Sequence, residues 1–249
     1  FGLVLVVGFV KNGLGFFKLF WPTGAPLVMR PVVGLIEFLS FLLRPVTLAL
    51  RLFGNMLGGH VALKVFAGFD QPDLKATYKV SVTAPERYTV ILNEAVTRTD
   101  NGDGTSTWST VIDTPLSTYL ICICAGEFER ISDTYDAGDG RVIELGLYAR
   151  ASLIPHMDSE RLFAQTKDGF DFYHEKFGRT YPFGDKYDQI FCPEYNMGAM
   201  ENVGAVTFRD EYIFTSEPTP YRLERRNDTI LHEMAHMWFG DLVTMQWWE

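Results

Sequence analysis

From Phe1 to Phe69 apolar residues recur with almost no polar face, whereas from Lys75 onward apolar and polar positions trade places at short intervals. In the front block each apolar run is broken by a single cation or a proline, so none is a clean uncharged span of the usual membrane-crossing length. Pro31 to Leu43 and Val46 to Phe69 read as two long apolar helices joined near Arg44-Pro45. In water such helices would need a polar face. No charged leader precedes the first run and no small-residue cleavage site follows it, which argues against a signal peptide.

Behind this block the period shortens to two. Ala76 to Val82, Thr107 to Ile112 and Val142 to Ala149 alternate as half-buried strands do, and Asn101-Gly102-Asp103-Gly104 is a strong turn signal among them. Tyr119 to Cys124 is apolar on both faces and predicts a buried central strand, with Cys122 and Cys124 on one side of it as small hydrophobes rather than metal ligands. The period then lengthens. Asp158 to Phe177 places Leu162, Phe163, Phe170, Tyr173 and Phe177 on one side of a helix, with Pro155 before it and Gly178 after it. Asp188 to Cys192 and Ala205 to Phe208 read as strands bracketing a turn at Gly198–Asn202, and a second helix is predicted from near Pro220 to Gly240. The expected fold class is mixed: N-terminal hydrophobic, membrane-type α-helices, then α+β.

Charge sharpens the division. The net charge of −9 hides +5 in residues 1–69 against −14 in the remainder. An acidic back half without basic clusters argues against nucleic acid as a partner. Three cysteines, Cys122, Cys124 and Cys192, form no even framework and suggest a reducing compartment.

The predicted second helix carries His232-Glu233-Met234-Ala235-His236. Residues four apart share a helix face, so His232 and His236 are candidates to offer imidazole nitrogens to one zinc ion, which takes nitrogen at about 2.0–2.1 Å. Glu233 projects about 100° round the helix, where its carboxylate is placed to act as base toward a water acidified by the metal. The competing reading is an amphipathic helix that happens to hold two of the chain's five histidines. His156 and His174 lack ligand spacing to any partner.

Gly198-Ala199-Met200-Glu201-Asn202 ahead of this motif resembles the aminopeptidase N family of zinc metallopeptidases, and the likeness runs from Phe69-Asp70-Gln71-Pro72-Asp73 through Trp238-Phe239-Gly240-Asp241-Leu242. The resemblance implies a partial β-sandwich domain over 69–157 and the start of a thermolysin-like catalytic domain over 158–249. It also implies a cytoplasmic setting and a peptide substrate with a free N-terminus, held at Gly198–Asn202 with its ammonium on the Glu201 carboxylate. Zn2+ is the implied cofactor, one ion in an incomplete site. The family's third ligand is a glutamate eighteen residues past the second histidine's neighbour position, six residues beyond Glu249, and Glu249 itself matches a non-ligand position. A downstream oxyanion-stabilising tyrosine is likewise not in the chain, so the parent is expected to be an aminopeptidase and this stretch alone inactive.

Within the front block, Arg44 to His60 resembles subunit a of the rotary ATP synthase. That resemblance implies that Arg51 faces the rotor ring's carboxylate, that Glu37, Asn55 and His60 line a proton path, and that residues 1–68 are membrane-integral and translocate protons. The bland reading is a hydrophobic helix pair whose charges snorkel to the interface. The two resemblances meet in Lys64-Val65-Phe66-Ala67-Gly68-Phe69 with no Gly-, Ser- or Pro-rich linker, as an accidental fusion would leave them.

Overall fold

A computed structural model describes Lys11 and residues 71–246. The latter lie in one of the two units into which the chain divides, Phe66–Glu249. The expected helices over 31–43 and 46–69, with Glu37, Arg51, Asn55 and His60, fall outside the described residues.

The first strand, β1 (Lys75–Pro85), turns Tyr78, Val80, Val82 and Ala84 inward and Lys79, Ser81 and Thr83 outward. It pairs antiparallel with β4 (Thr105–Ser117), whose Trp108, Thr110 and Ile112 are buried in the matching register. On the outer face the pairs Ser81–Ser109 and Thr83–Thr107 join hydroxyls at 3.0 and 2.9 Å. The edge strand β3 (Thr97–Asp100) reaches β4 through the predicted turn, where Gly102 and Gly104 take φ of 74° and 83° and Asp100 and Asp103 accept backbone N–H groups.

Tyr119 to Cys124 is not a buried central strand. Thr118–Leu120 is a 3-10 turn, and only Ile123–Gly126 is extended; as β5 it pairs with β2 (Thr89–Leu92) in a two-stranded sheet that leaves Ile123 54% exposed. The cause is Asn93. Its amide donates to the Leu120 and Val203 carbonyls, and its oxygen accepts from the Cys122 N–H, each at 2.8 Å, so one buried side chain takes the hydrogen bonds a ladder would use.

The main sheet has the order β6-β7-β8-β10-β9. β6 (Phe128–Asp136) is antiparallel to β7 (Val142–Arg150), β7 and β8 (Lys186–Cys192) are parallel, as are β8 and β10 (Ala205–Arg209), and β9 (Ala199–Met200) returns antiparallel along the edge. This sheet draws strands from both sides of residue 157. Between β7 and β8 runs α1 (Ser159–Phe177), which ends on Gly178 at φ 63° and buries Leu162, Phe163, Thr166, Gly169 and Phe170. The second helix, α2 (Pro220–His236), starts with proline at its first position and Thr219 accepting from the Arg222 N–H. It stops four residues before Gly240, because the chain turns there to send the Asp241 N–H back to the His236 carbonyl at 3.0 Å. Both helices pack on the core that fills the sheet's inner face, with Phe170, Tyr187, Phe208, Ile230 and Met234 at its centre.

The expected fold class and localisation therefore need correcting. Residues 71–246 are mostly β-sheet with two α-helices, and no helix among the described residues is long and apolar enough to cross a membrane. The physical reason is composition: α1 carries Glu160, Arg161, Lys167, Asp168, Asp171, Glu175 and Lys176, and α2 is similarly charged on its outer side. Neither the integral-membrane nor the cytoplasmic assignment is carried further.

Candidate metal centre

The last turn of α2 brings His232 and His236 together with Nε2 atoms 3.2 Å apart and rings at 82°. Two nitrogens at about 2.0–2.1 Å from one tetrahedral ion would lie about 3.3 Å from each other, so this pair fits zinc without rearrangement. His236 donates from Nδ1 to the Phe239 carbonyl at 2.9 Å, which leaves its Nε2 as the lone-pair nitrogen. That carbonyl is aimed by Gly240, whose φ is 119°; a Cβ there would meet His236 Nδ1 at 3.1 Å.

Glu233 is 6% exposed and shares the inner side of α2 with Ile230 and Met234. Opposite it, β9 ends at Met200 and the chain turns through Glu201 and Asn202. Asn202 is buried, accepts from Thr207 Oγ1 at 3.1 Å, and receives the Ala205 N–H on its carbonyl, which locks the turn. One ligating atom each from Glu201, Glu233 and His236 then lie within 4.8 Å of one another. Burial, followed by the facing Glu201 carboxylate, pushes Glu233 up to about 7. Two carboxylates converge on the His236 imidazole, and His232 stands outside this group, beside it through its contact with His236 Nε2.

Of the five residues Gly198–Asn202, only Glu201 reaches this cluster. Ala199 and Met200 pair with Phe208 and Thr207 as β9, and the Gly198 carbonyl accepts the Arg209 N–H. Glu249 falls outside the described residues. Two participants were missed from the sequence. Asp241 is fully buried, neither of its carboxylate oxygens has a hydrogen-bond partner, and burial followed by Glu201 pushes it up to about 9. An acid inside the apolar run Trp238 to Val243 was its signal. Lys75 donates from Nζ to the Asp241 and Leu242 carbonyls, tying the start of β1 to the segment behind His236, and nothing local marks it. A cavity of about 680 Å³ opens beside the cluster, with Glu201 and His236 in its wall next to Tyr119, Phe239 and Val243.

The chain is similar to known proteins in two stretches. Residues 162–249 match the model of the peptidase family M1 domain, and residues 1–94 match that of the ATP synthase A chain. Over 187 residues, 75% of the chain, it is 48% identical to aminopeptidase N of Streptomyces lividans, of which that stretch is 21%. It is 33% identical over 193 residues to human glutamyl aminopeptidase, covering 76% of this chain and 19% of that protein, and 33% identical over 192 residues to mouse aminopeptidase N, with 75% and 19% covered. The chain thus resembles metallopeptidases of family M1 over most of its length and the ATP synthase A chain at its front. It spans about a fifth of the length of the curated relatives it matches. The described part of the second match, residues 71–94, is β1 and β2 of the β-rich unit.

Proposed function

We propose that residues 69–249 are a segment of a zinc-dependent aminopeptidase, and that they supply two metal ligands, the general base and the anchor for the peptide's free N-terminus. The observation that carries this reading is the convergence of His236, Glu233 and Glu201 from two separate elements. His232 and His236 hold the ion; a catalytic zinc takes three protein ligands, so a further protein ligand completes the set in the parent enzyme. When bound, zinc supplies Lewis-acid polarisation of the scissile carbonyl. Glu233, held near neutrality by its burial, takes a proton from the attacking water on a carboxylate oxygen and delivers it to the departing amine nitrogen. Glu201 receives the substrate's α-ammonium, which fixes the reacting bond one residue from the chain end.

Grafting residues 71–246 in place of the matching stretch of the Streptomyces lividans enzyme tests the reading. The expected result is hydrolysis of unblocked aminoacyl amides and little action on their N-acetylated forms. A folded, zinc-loaded graft that cuts both equally would overturn it.

A second reading concerns the whole chain. Two family models match its two ends, 1–94 and 162–249, and these families have no reason to share a polypeptide. We infer that the chain joins two unrelated sequences near residues 64–69, where it divides into two units, although the ATP synthase A chain match runs on to residue 94. Amplification across the join from source DNA should fail to yield a contiguous product; a reproducible one would refute the inference.

A further inference from the structure

Arg226 on α2 carries a guanidinium shut away from solvent, 1% exposed, and it is poorly matched. Its hydrogen bonds to the Tyr212 carbonyl and to Asp158 Oδ2 are long, at 3.4 and 3.5 Å, and its Nε has no partner. A buried charge with an unspent donor is costly. Asp158 does not make up the deficit. The same Oδ2 is taken at 3.1 Å by Arg161, and 44% of the Asp158 side chain is exposed. Engaged in this way, Asp158 also leaves the start of α1 without a side-chain cap. Phe214 lies against the guanidinium, 5.0 Å from carbon to ring centroid, which stacks the group without satisfying an N–H.

Arg226, Asp158, Arg161 and Phe214 share the wall of a cavity of about 240 Å³ with Glu217 and Leu223. The Glu217 carboxylate makes no ion pair among the described residues. At neutral pH the wall thus sets two guanidiniums against two carboxylates. A simple anion or a simple cation would meet like charge there, whereas a molecule carrying both signs close together would not. We propose that this cavity binds a free α-amino acid as its zwitterion, the carboxylate on Arg226 and Arg161 and the ammonium on Glu217. A guanidinium takes a carboxylate through two parallel N–H bonds, and the unpartnered Nε of Arg226 is one such donor left over. Phe214 and Leu223 give the side chain an apolar surface, so an aliphatic amino acid such as leucine suits the cavity better than a charged one. Arg226 lies ten residues ahead of His236 on α2, so the ligand would tie the start of α1 to the helix that bears the histidines. The site is separate from the cluster of Glu201, Glu233 and His236 and does not rest on the peptidase reading.

Calorimetric titration of the full chain with leucine, after removal of metal by chelation, tests the site. One equivalent should bind. Leucinamide lacks the carboxylate and N-acetyl-leucine lacks the ammonium, so each should bind about ten-fold more weakly or worse. Glu217→Gln should raise the leucine Kd by about ten-fold or more. Glu201→Ala should leave that Kd unchanged, which separates this cavity from the histidine-bearing site. Arg226→Lys should also weaken binding, and circular dichroism reports whether that buried substitution folds. If it does not, Glu217→Gln at an exposed position decides the matter. A folded chain that binds no leucine would overturn the proposal. Equal affinity for leucinamide, indifference to Glu217→Gln, or loss of binding in Glu201→Ala would do the same.

Discussion

Glu233 and Glu201 are both carboxylates in one small space, yet their surroundings assign them different work. Glu233 is on a helix, buried against Ile230 and Met234, and held near neutrality, which suits a group that must accept and release a proton. Glu201 is half-buried at the end of an edge strand and faces the cavity, which suits a fixed negative charge awaiting a cation. In the graft described above, Glu233→Gln should keep zinc and lose turnover on the order of 10²-fold or more. Glu201→Ala should keep zinc and lose selectivity for free amines, with KM rising more than kcat falls. Metal analysis beside steady-state kinetics on free and acetylated substrates separates the two; identical phenotypes would contradict the division of roles.

At the scale of elements, α1 is tied to its surroundings through His174. The Tyr181 N–H donates to His174 Nε2 at 2.9 Å, so the ring is needed neutral and as an acceptor. Tyr135 from β6 donates to Asp171 one turn earlier at 2.6 Å, and Phe170 stacks on Tyr135 with ring centroids 5.0 Å apart. Burial lowers the His174 pKa from its ordinary 6.5 against the opposing pull of Asp171. A histidine depressed in the folded state takes its proton first in the unfolded chain. Its contribution is thus intact above about pH 6.5 and declines as acidification proceeds toward the lower folded value. Urea midpoints of the full chain should fall between neutral pH and pH 5, and His174→Gln, which keeps an acceptor without titrating, should flatten that slope. An equal slope in the variant would assign the acid sensitivity elsewhere.

Beyond single elements, the two-stranded sheet β2-β5 and the main sheet are joined by buried polar groups as well as by the core. Lys186 donates from Nζ to the Leu92 carbonyl at 2.9 Å and the Gly204 carbonyl at 2.7 Å, and pairs with Asp188 at 2.8 Å. Asp188 is fully buried, and its oxygens have no other hydrogen-bond partner. Removing the cation would strand a buried carboxylate, so Lys186→Met should cost roughly 3–5 kcal/mol by chemical unfolding. The double variant Lys186→Met/Asp188→Asn should recover part of that loss. No recovery would mean that the carbonyl bonds, rather than the charge pair, hold the sheets together.

Local rules were enough for much of this chain. Alternation in Ala76–Val82, the turn at Asn101–Gly104, the helix closed by Gly178 and the His-Glu-x-x-His spacing each depend on residues a few positions apart, so the sequence alone determines them. What it could not determine depends on partners far along the chain. Tyr119–Cys124 lost its strand to the side chain of Asn93. The helix expected to end at Gly240 ended at His236, because a positive φ turned the Phe239 carbonyl onto a histidine. Glu201 was legible as a motif member, but its meeting with Glu233 and His236 required β9 at the sheet edge beside α2. The burial of Asp241 is a tertiary fact outright: it is a property of packing, and no local pattern encodes which distant side chain will close over a given atom.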